Sequence, residues 1–138
     1  MNLYQVDDAG CLFISAAIED WSLLASMRID TIFDLDGSLD AGVPTVPDQC
    51  LYIYFPIYDK ALPNLTKLTG LASLGALLVQ DGHHVLSHYG MGFNRSALLA
   101  GLILHRLGMS GSVAVERLRQ RRPGALFNDQ FAAYLLSL

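Results

Sequence analysis

The stretch Val85-Leu86-Ser87-His88-Tyr89-Gly90-Met91-Gly92-Phe93-Asn94-Arg95-Ser96 decides the fold. An apolar strand pattern enters a loop carrying Gly90 and Gly92, the loop closes on Arg95, and an apolar helical run follows at once. Such a unit is an anion site by construction. Successive backbone N–H groups in the loop turn inward, the helix start adds about half a positive charge, and Arg95 can offer a planar fork to two phosphate oxygens. The expected phosphate-binding residues are Gly90, Met91, Gly92, Phe93, Asn94 and Arg95.

Outward from this unit, the chain alternates strands and helices. Leu3 to Val6 and Leu12 to Ser15 read as a hairpin around Asp7-Asp8-Ala9-Gly10. Ala17 to Met27 has helical spacing at Ile18, Trp21 and Leu24, and Thr31 to Asp36 follows as a strand ended by Asp36-Gly37. The Asp-, Gly- and Pro-rich interval 37–49 is a surface loop. Cys50 to Ile57 is apolar on both faces of its period-two pattern, which predicts a central buried strand. Leu65, Leu68, Leu71, Leu74 and Leu78 then recur at helical spacing up to Asp81-Gly82. After a strand at His84 to His88, the helix Ser96 to Leu107 is apolar almost all round and belongs in the centre of the fold. Ser112 to Arg122 and Asn128 to Leu138 supply two further helices, the second with Asn128 as N-cap. The expectation is one α/β domain over residues 1–138, with a small, mostly parallel or mixed sheet flanked by helices.

Bulk properties bound the function. A chain of 138 residues has room for one ordinary domain, and 52% hydrophobic against 16% charged residues excludes a disordered chain. A net charge of −4 argues against general nucleic-acid binding. The apolar runs Leu12 to Ile18 and Ala97 to Leu104 are too short to span a bilayer, so no membrane partner is expected. Asp7 and Asp8 stand where a secretory leader would be basic, which points to the cytoplasm. Cys11 and Cys50 are too few and too far apart for a disulfide framework or a zinc site, and His83, His84, His88 and His105 lack ligand spacing. No metal and no cofactor are expected. Arg117, Arg119, Arg121 and Arg122 read as a solvated basic face partly paired with Glu116.

The central stretch resembles the signature of the cysteine-dependent protein tyrosine phosphatases, His-Cys, five residues, then Arg-Ser/Thr. His88, Gly92, Arg95 and Ser96 fall in place, and Tyr89 stands at the position of the nucleophilic cysteine. The similarity covers nearly the whole chain, through Leu12-Phe13-Ile14-Ser15-Ala16-Ala17, Phe33-Asp34-Leu35-Asp36 and Arg122-Pro123 with Asn128 and Phe131. Small size and the Gly108-Met109-Ser110 turn look most like the dual-specificity branch. The resemblance implies that Arg95 clamps phosphate and Asp59, in Phe55-Pro56-Ile57-Tyr58-Asp59, is the general acid. It also implies that Ser96 assists breakdown of the covalent intermediate and that His88 supports the loop. Ser96 at a helix start also reads as an N-terminal cap, and His88 as a satisfied core histidine. Asn94 resembles a Phe-Asn-Arg variant of the loop, whose amide can brace the loop backbone.

Tyr89 separates binding from turnover. A phenol with a pKa of about 10 is a poor nucleophile at neutral pH, and its oxygen lies a whole ring farther out than a cysteine sulfur. The ring must either plug the cradle or swing outward. The family implies dephosphorylation of phosphotyrosine, phosphoserine or phosphothreonine, with a phosphorylated protein or small phosphoester as partner. This chain is expected to be inactive as it stands while retaining affinity for phosphate-like anions. Two readings fit: a natural pseudophosphatase serving as a binding or regulatory module, and an ordinary phosphatase whose cysteine has been replaced. An RNA 5′-triphosphatase is a further alternative, carried by Phe-Asn-Arg. The absence of loop lysines disfavours a phosphoinositide head group.

Overall fold

A computed structural model describes residues 1–90 and 93–138. Five strands, β1 (Leu3–Gln5), β2 (Leu12–Ser15), β3 (Ile29–Asp34), β4 (Leu51–Tyr54) and β5 (His84–His88), form one sheet in the order β1-β2-β5-β3-β4. Only β1 runs antiparallel, as the partner of β2 in the expected hairpin; the remaining pairs are parallel. The mixed α/β architecture inferred from the alternating pattern is therefore the one observed.

Alternation along the strands divides the core in two. Leu12, Ile14, Phe33 and Val85 face a large cluster built with α2 (Leu65–Gln80), α3 (Asn94–Arg106), α4 (Gly111–Arg121) and α5 (Asp129–Leu136). Phe13, Ile32 and Leu86 face the opposite way, under the short α1 (Trp21–Ser26) and its Leu24. Helix α3 is the centre of the larger layer, as its all-round apolar sequence requires. Leu98, Leu99 and Ile103 are fully buried, each contributing about 1.5–3 kcal/mol of transfer free energy. Helix α2 packs on it closely at Gly75, where a Cβ would come within 2.6 Å of Ile103 Cδ1. Asn128 caps α5 as expected, its side-chain oxygen accepting from the N–H groups of Gln130 and Phe131 at 3.0 and 3.2 Å.

Three sequence expectations need correction. The apolar run Cys50 to Ile57 is not a central strand: β4 is confined to Leu51–Tyr54 at the sheet edge, with Leu51 and Tyr54 exposed. An apolar run records that neighbours exist but not on how many sides, and here the central places are taken by β5 and β3. Helix α3 starts at Asn94 rather than Ser96, with Phe93 as the N-cap in left-handed conformation and no capping side chain. Ser96 is thus inside the helix and does not cap it. Arg117 and Arg121 pair with Asp8 across the domain, at 3.3 and 3.0 Å, whereas Glu116 accepts from Gln120. Arg119 and Arg121 are exposed, as a solvated face requires; the pairing partner is Asp8 in place of Glu116. No helix among the described residues is long and apolar enough to cross a membrane.

Candidate active site

The site lies where the parallel strands end. Sheet pairing carries β5 to His88, whose carbonyl accepts from Leu35 N–H, and Tyr89 N–H then donates to Ser15 O at 3.3 Å. Past the loop, Ser87 Oγ donates to Ser96 O at 3.0 Å, tying the strand end to the first turn of α3. This bond fixes the start of α3 against the end of β5. Gly90 is a close-approach position: a Cβ there would lie 2.8 Å from Asp36 Oδ2. Met91 and Gly92, expected in the cradle, lie outside the described residues.

Arg95 and Tyr89 are brought together. The guanidinium carbon stands 3.4 Å from the Tyr89 ring centroid, and Nη2 donates to the Tyr89 phenol oxygen. Nη1 donates to Ile57 O at 2.6 Å, which anchors the arginine to the loop after β4. Nε is buried with no partner among the described residues. Of the two ways open to the aromatic ring, the structure has the inward one. The phenol oxygen occupies a hydrogen-bonding direction of the group that the sequence assigns to phosphate.

Asp59 is held on the same side by two amides. Asn94 Nδ2 donates to Asp59 Oδ2 at 2.9 Å, and Asn128 Nδ2 donates to Asp59 Oδ1 at 2.7 Å and to Lys60 O at 3.1 Å. Asn128 N–H donates to Asn94 Oδ1 at 3.0 Å, closing the triangle. One amide comes from the start of α3 and the other from the start of α5, so two segments distant in sequence fix the Asp59 loop. Asn94 therefore braces this neighbouring loop. The role of Asn128 as a cap was legible in sequence; its hold on Asp59, 69 residues away, left no local signal.

His88 is buried and faces away from this triangle, on the α1 side of the sheet. Its Nε2–H donates to Asp40 Oδ2 at 2.6 Å, with Asp34 Oδ1 at 3.7 Å. The Tyr52 hydroxyl lies between Asp34 Oδ2 and Asp40 Oδ2 and accepts from Asp40 N–H at 2.9 Å. One phenolic proton cannot serve both carboxylates. Burial pushes the Asp34 carboxyl up from its ordinary range, against the opposing hydrogen bonds from the Tyr52 hydroxyl and Asp36 N–H. The same burial and the Asp34 contact push the Tyr52 phenol well up. Asp34, Asp40 and His88 also form a group with metal-ligand spacing among the described residues, which sequence inspection missed. Its ligand atoms already have partners: His88 Nε2 pairs with Asp40 Oδ2, and the Asp34 oxygens accept from Asp36 N–H and the Tyr52 hydroxyl. Ser96 Oγ and His88 Nδ1 are buried without partners among the described residues.

No protein-family model and no curated protein matches the chain. Solved structures do. A mouse putative dual specificity phosphatase complexed with zinc tungstate is 27% identical over 98% of this chain and 84% of its own, with a TM-score of 0.81. Human DUSP28 gives a TM-score of 0.82 at 23% identity, over 98% of this chain and 94% of that one. The human tyrosine phosphatase-like serine/threonine/tyrosine-interacting protein gives 0.77 at 20%, over 98% and 93%. The fold is that of the dual-specificity phosphatases. The chain is a phosphatase-like domain.

Proposed function

We propose that this domain recognises phosphomonoesters on proteins or small molecules without hydrolysing them, as a pseudophosphatase in which Tyr89 has replaced the nucleophile and gates the anion site. The observation that carries the reading is the phenol oxygen of Tyr89 on Arg95. By the family resemblance Arg95 is the phosphate clamp, and it stands in the first turn of α3, where the helix dipole favours an anion. A ligand binds by taking the Arg95 direction that Tyr89 now holds, so binding competes with the Arg95–Tyr89 contact. The tungstate in the mouse relative's crystals, a tetrahedral oxyanion, supports the same ligand class. Hydrolysis has no route through Tyr89: a phenol attacking phosphorus gives a stable aryl phosphate on the protein.

A second reading, a phosphatase whose cysteine has been substituted, is favoured by the Asp59 triangle. The two amides fix the position of Asp59 on the loop that also anchors Arg95 through Ile57 O, and fixed position is one requirement of a general acid. One experiment distinguishes the two. The unaltered protein should bind tungstate in an Arg95-dependent manner and leave a small aryl phosphate intact, and Tyr89→Cys should hydrolyse that substrate only with Arg95 and Asp59 in place. Tungstate affinity that survives Arg95→Ala overturns the recognition reading. A folded but inert Tyr89→Cys protein overturns the substituted-phosphatase reading.

A further inference from the structure

A cavity of about 560 Å³ opens beside the site, between the end of β4 and the start of α2. Its walls are mostly apolar, including Phe55, Pro56, Leu62 and Pro63. Both lysines of the chain, Lys60 and Lys67, stand on its lining, and no carboxylate does. In a chain of net charge −4 this is a local reversal of sign. Both lysines are exposed and make no ion pair among the described residues, whereas Arg117 and Arg121 at the other end are engaged by Asp8. Tyr58, 82% exposed, adds a large aromatic surface that packing leaves uncovered. The cavity is also preformed. Pro56 and Pro63 restrict the backbone on either side, Ile57 O is held by Arg95, and the Asn128 amide holds Asp59 and Lys60 O.

We infer that this cavity is a docking site for an acidic peptide segment that inserts an apolar side chain between Phe55 and Leu62 and sets carboxylates against Lys60 and Lys67. The size accommodates a few side chains, within the range of about 300–1,000 Å³ typical of ligand pockets. A mineral anion leaves the apolar walls unmatched. Nucleic acid and anionic lipid surfaces call for longer basic stretches, about four to eight cationic residues for a membrane patch, where this site offers two. An apolar anchor flanked by acidic residues satisfies both components of the surface. Among the described residues the cavity meets the Arg95 side of the site through Ile57, whose carbonyl accepts from Arg95.

The test uses the full chain labelled with ¹⁵N and a fluorescent peptide of about ten residues that alternates glutamate with leucine. Amide shifts should concentrate in residues 55–67, with saturable binding that weakens as salt rises. The exposed double variant Lys60→Glu with Lys67→Glu should weaken binding by about tenfold or more, Lys60→Arg with Lys67→Arg should retain it, and Arg28→Glu at the opposite end of the sheet should leave it unchanged. Replacing the peptide's leucines with serine should abolish binding. No binding at millimolar peptide, equal binding of the serine peptide or of a single-stranded oligonucleotide, or shifts mapping away from residues 55–67 would each overturn the proposal.

Discussion

If Tyr89 occupies the anion's place on Arg95, shortening Tyr89 must tighten anion binding, and the structure sets the scale. A hydrogen bond to a charged group contributes about 1.5–3 kcal/mol, and a guanidinium over an aromatic ring adds about 0.5–2 kcal/mol depending on exposure. Both contacts are present, with the guanidinium 3.4 Å from the ring centroid and Nη2 on the phenol oxygen. An incoming oxyanion must break at least the hydrogen bond. Tyr89→Phe deletes the oxygen and keeps the ring, removing about 1.5 kcal/mol of competition, equivalent to about tenfold tighter binding. Tyr89→Ala deletes both and removes about 2–3 kcal/mol, roughly 30- to 160-fold. The Arg95 bond to Ile57 O at 2.6 Å is untouched in either variant, so the arginine stays anchored. Isothermal titration with tungstate at fixed ionic strength reads the series directly, with Arg95→Ala as the baseline. Equal affinity across Tyr, Phe and Ala would refute the competition, and weaker binding in Tyr89→Ala would mean that the phenol helps to hold the anion.

Asn128→Ala removes the α5 cap and two bonds to the Asp59 segment, so denaturant unfolding should show a loss of about 1–2 kcal/mol; Asn128→Asp keeps the cap but opposes Asp59, and its deficit should grow as pH rises through the carboxylate range. Burial raises the folded-state pKa of Asp34, so its contribution to stability is complete below the ordinary carboxylate range and is lost as pH rises through the raised value. Asp34→Asn should remove that slope, read as a pH-dependent difference in urea midpoint; parallel curves for the two proteins would contradict it. Gly111→Ala should destabilise by about 3 kcal/mol although alanine is the better helix former, because its Cβ would run into the Leu135 carbonyl oxygen, a backbone atom that cannot rotate away. A loss below about 1 kcal/mol would show that α4 and α5 separate freely.

Local patterns were readable where one periodicity had one cause. The strand His84 to His88 and the opening hairpin were legible as short strand runs bounded by turn signals, and the buried α3 from apolar residues on every face. Asn128 at a helix start and Asp59 in a loop were visible as types in context. Arg95 and Tyr89 stood out from residue order, because a strand-loop-helix unit is contiguous, whereas a role for Asp59 came only from the family resemblance.

What tertiary structure decided is contact between segments far apart in the chain. Asn128 reaches Asp59, His88 reaches Asp40, and Arg117 reaches Asp8 through side-chain geometry that leaves no period in the sequence. Edge placement of β4 depends on which strands claimed the sheet centre, so its apolar run misled. The same limit applies to Tyr89. Sequence alone carries the chemical expectation that a phenol does not do the work of a thiolate, since nucleophilicity belongs to the residue; only the fold decided that the ring turns inward onto Arg95, since direction belongs to the packing around it.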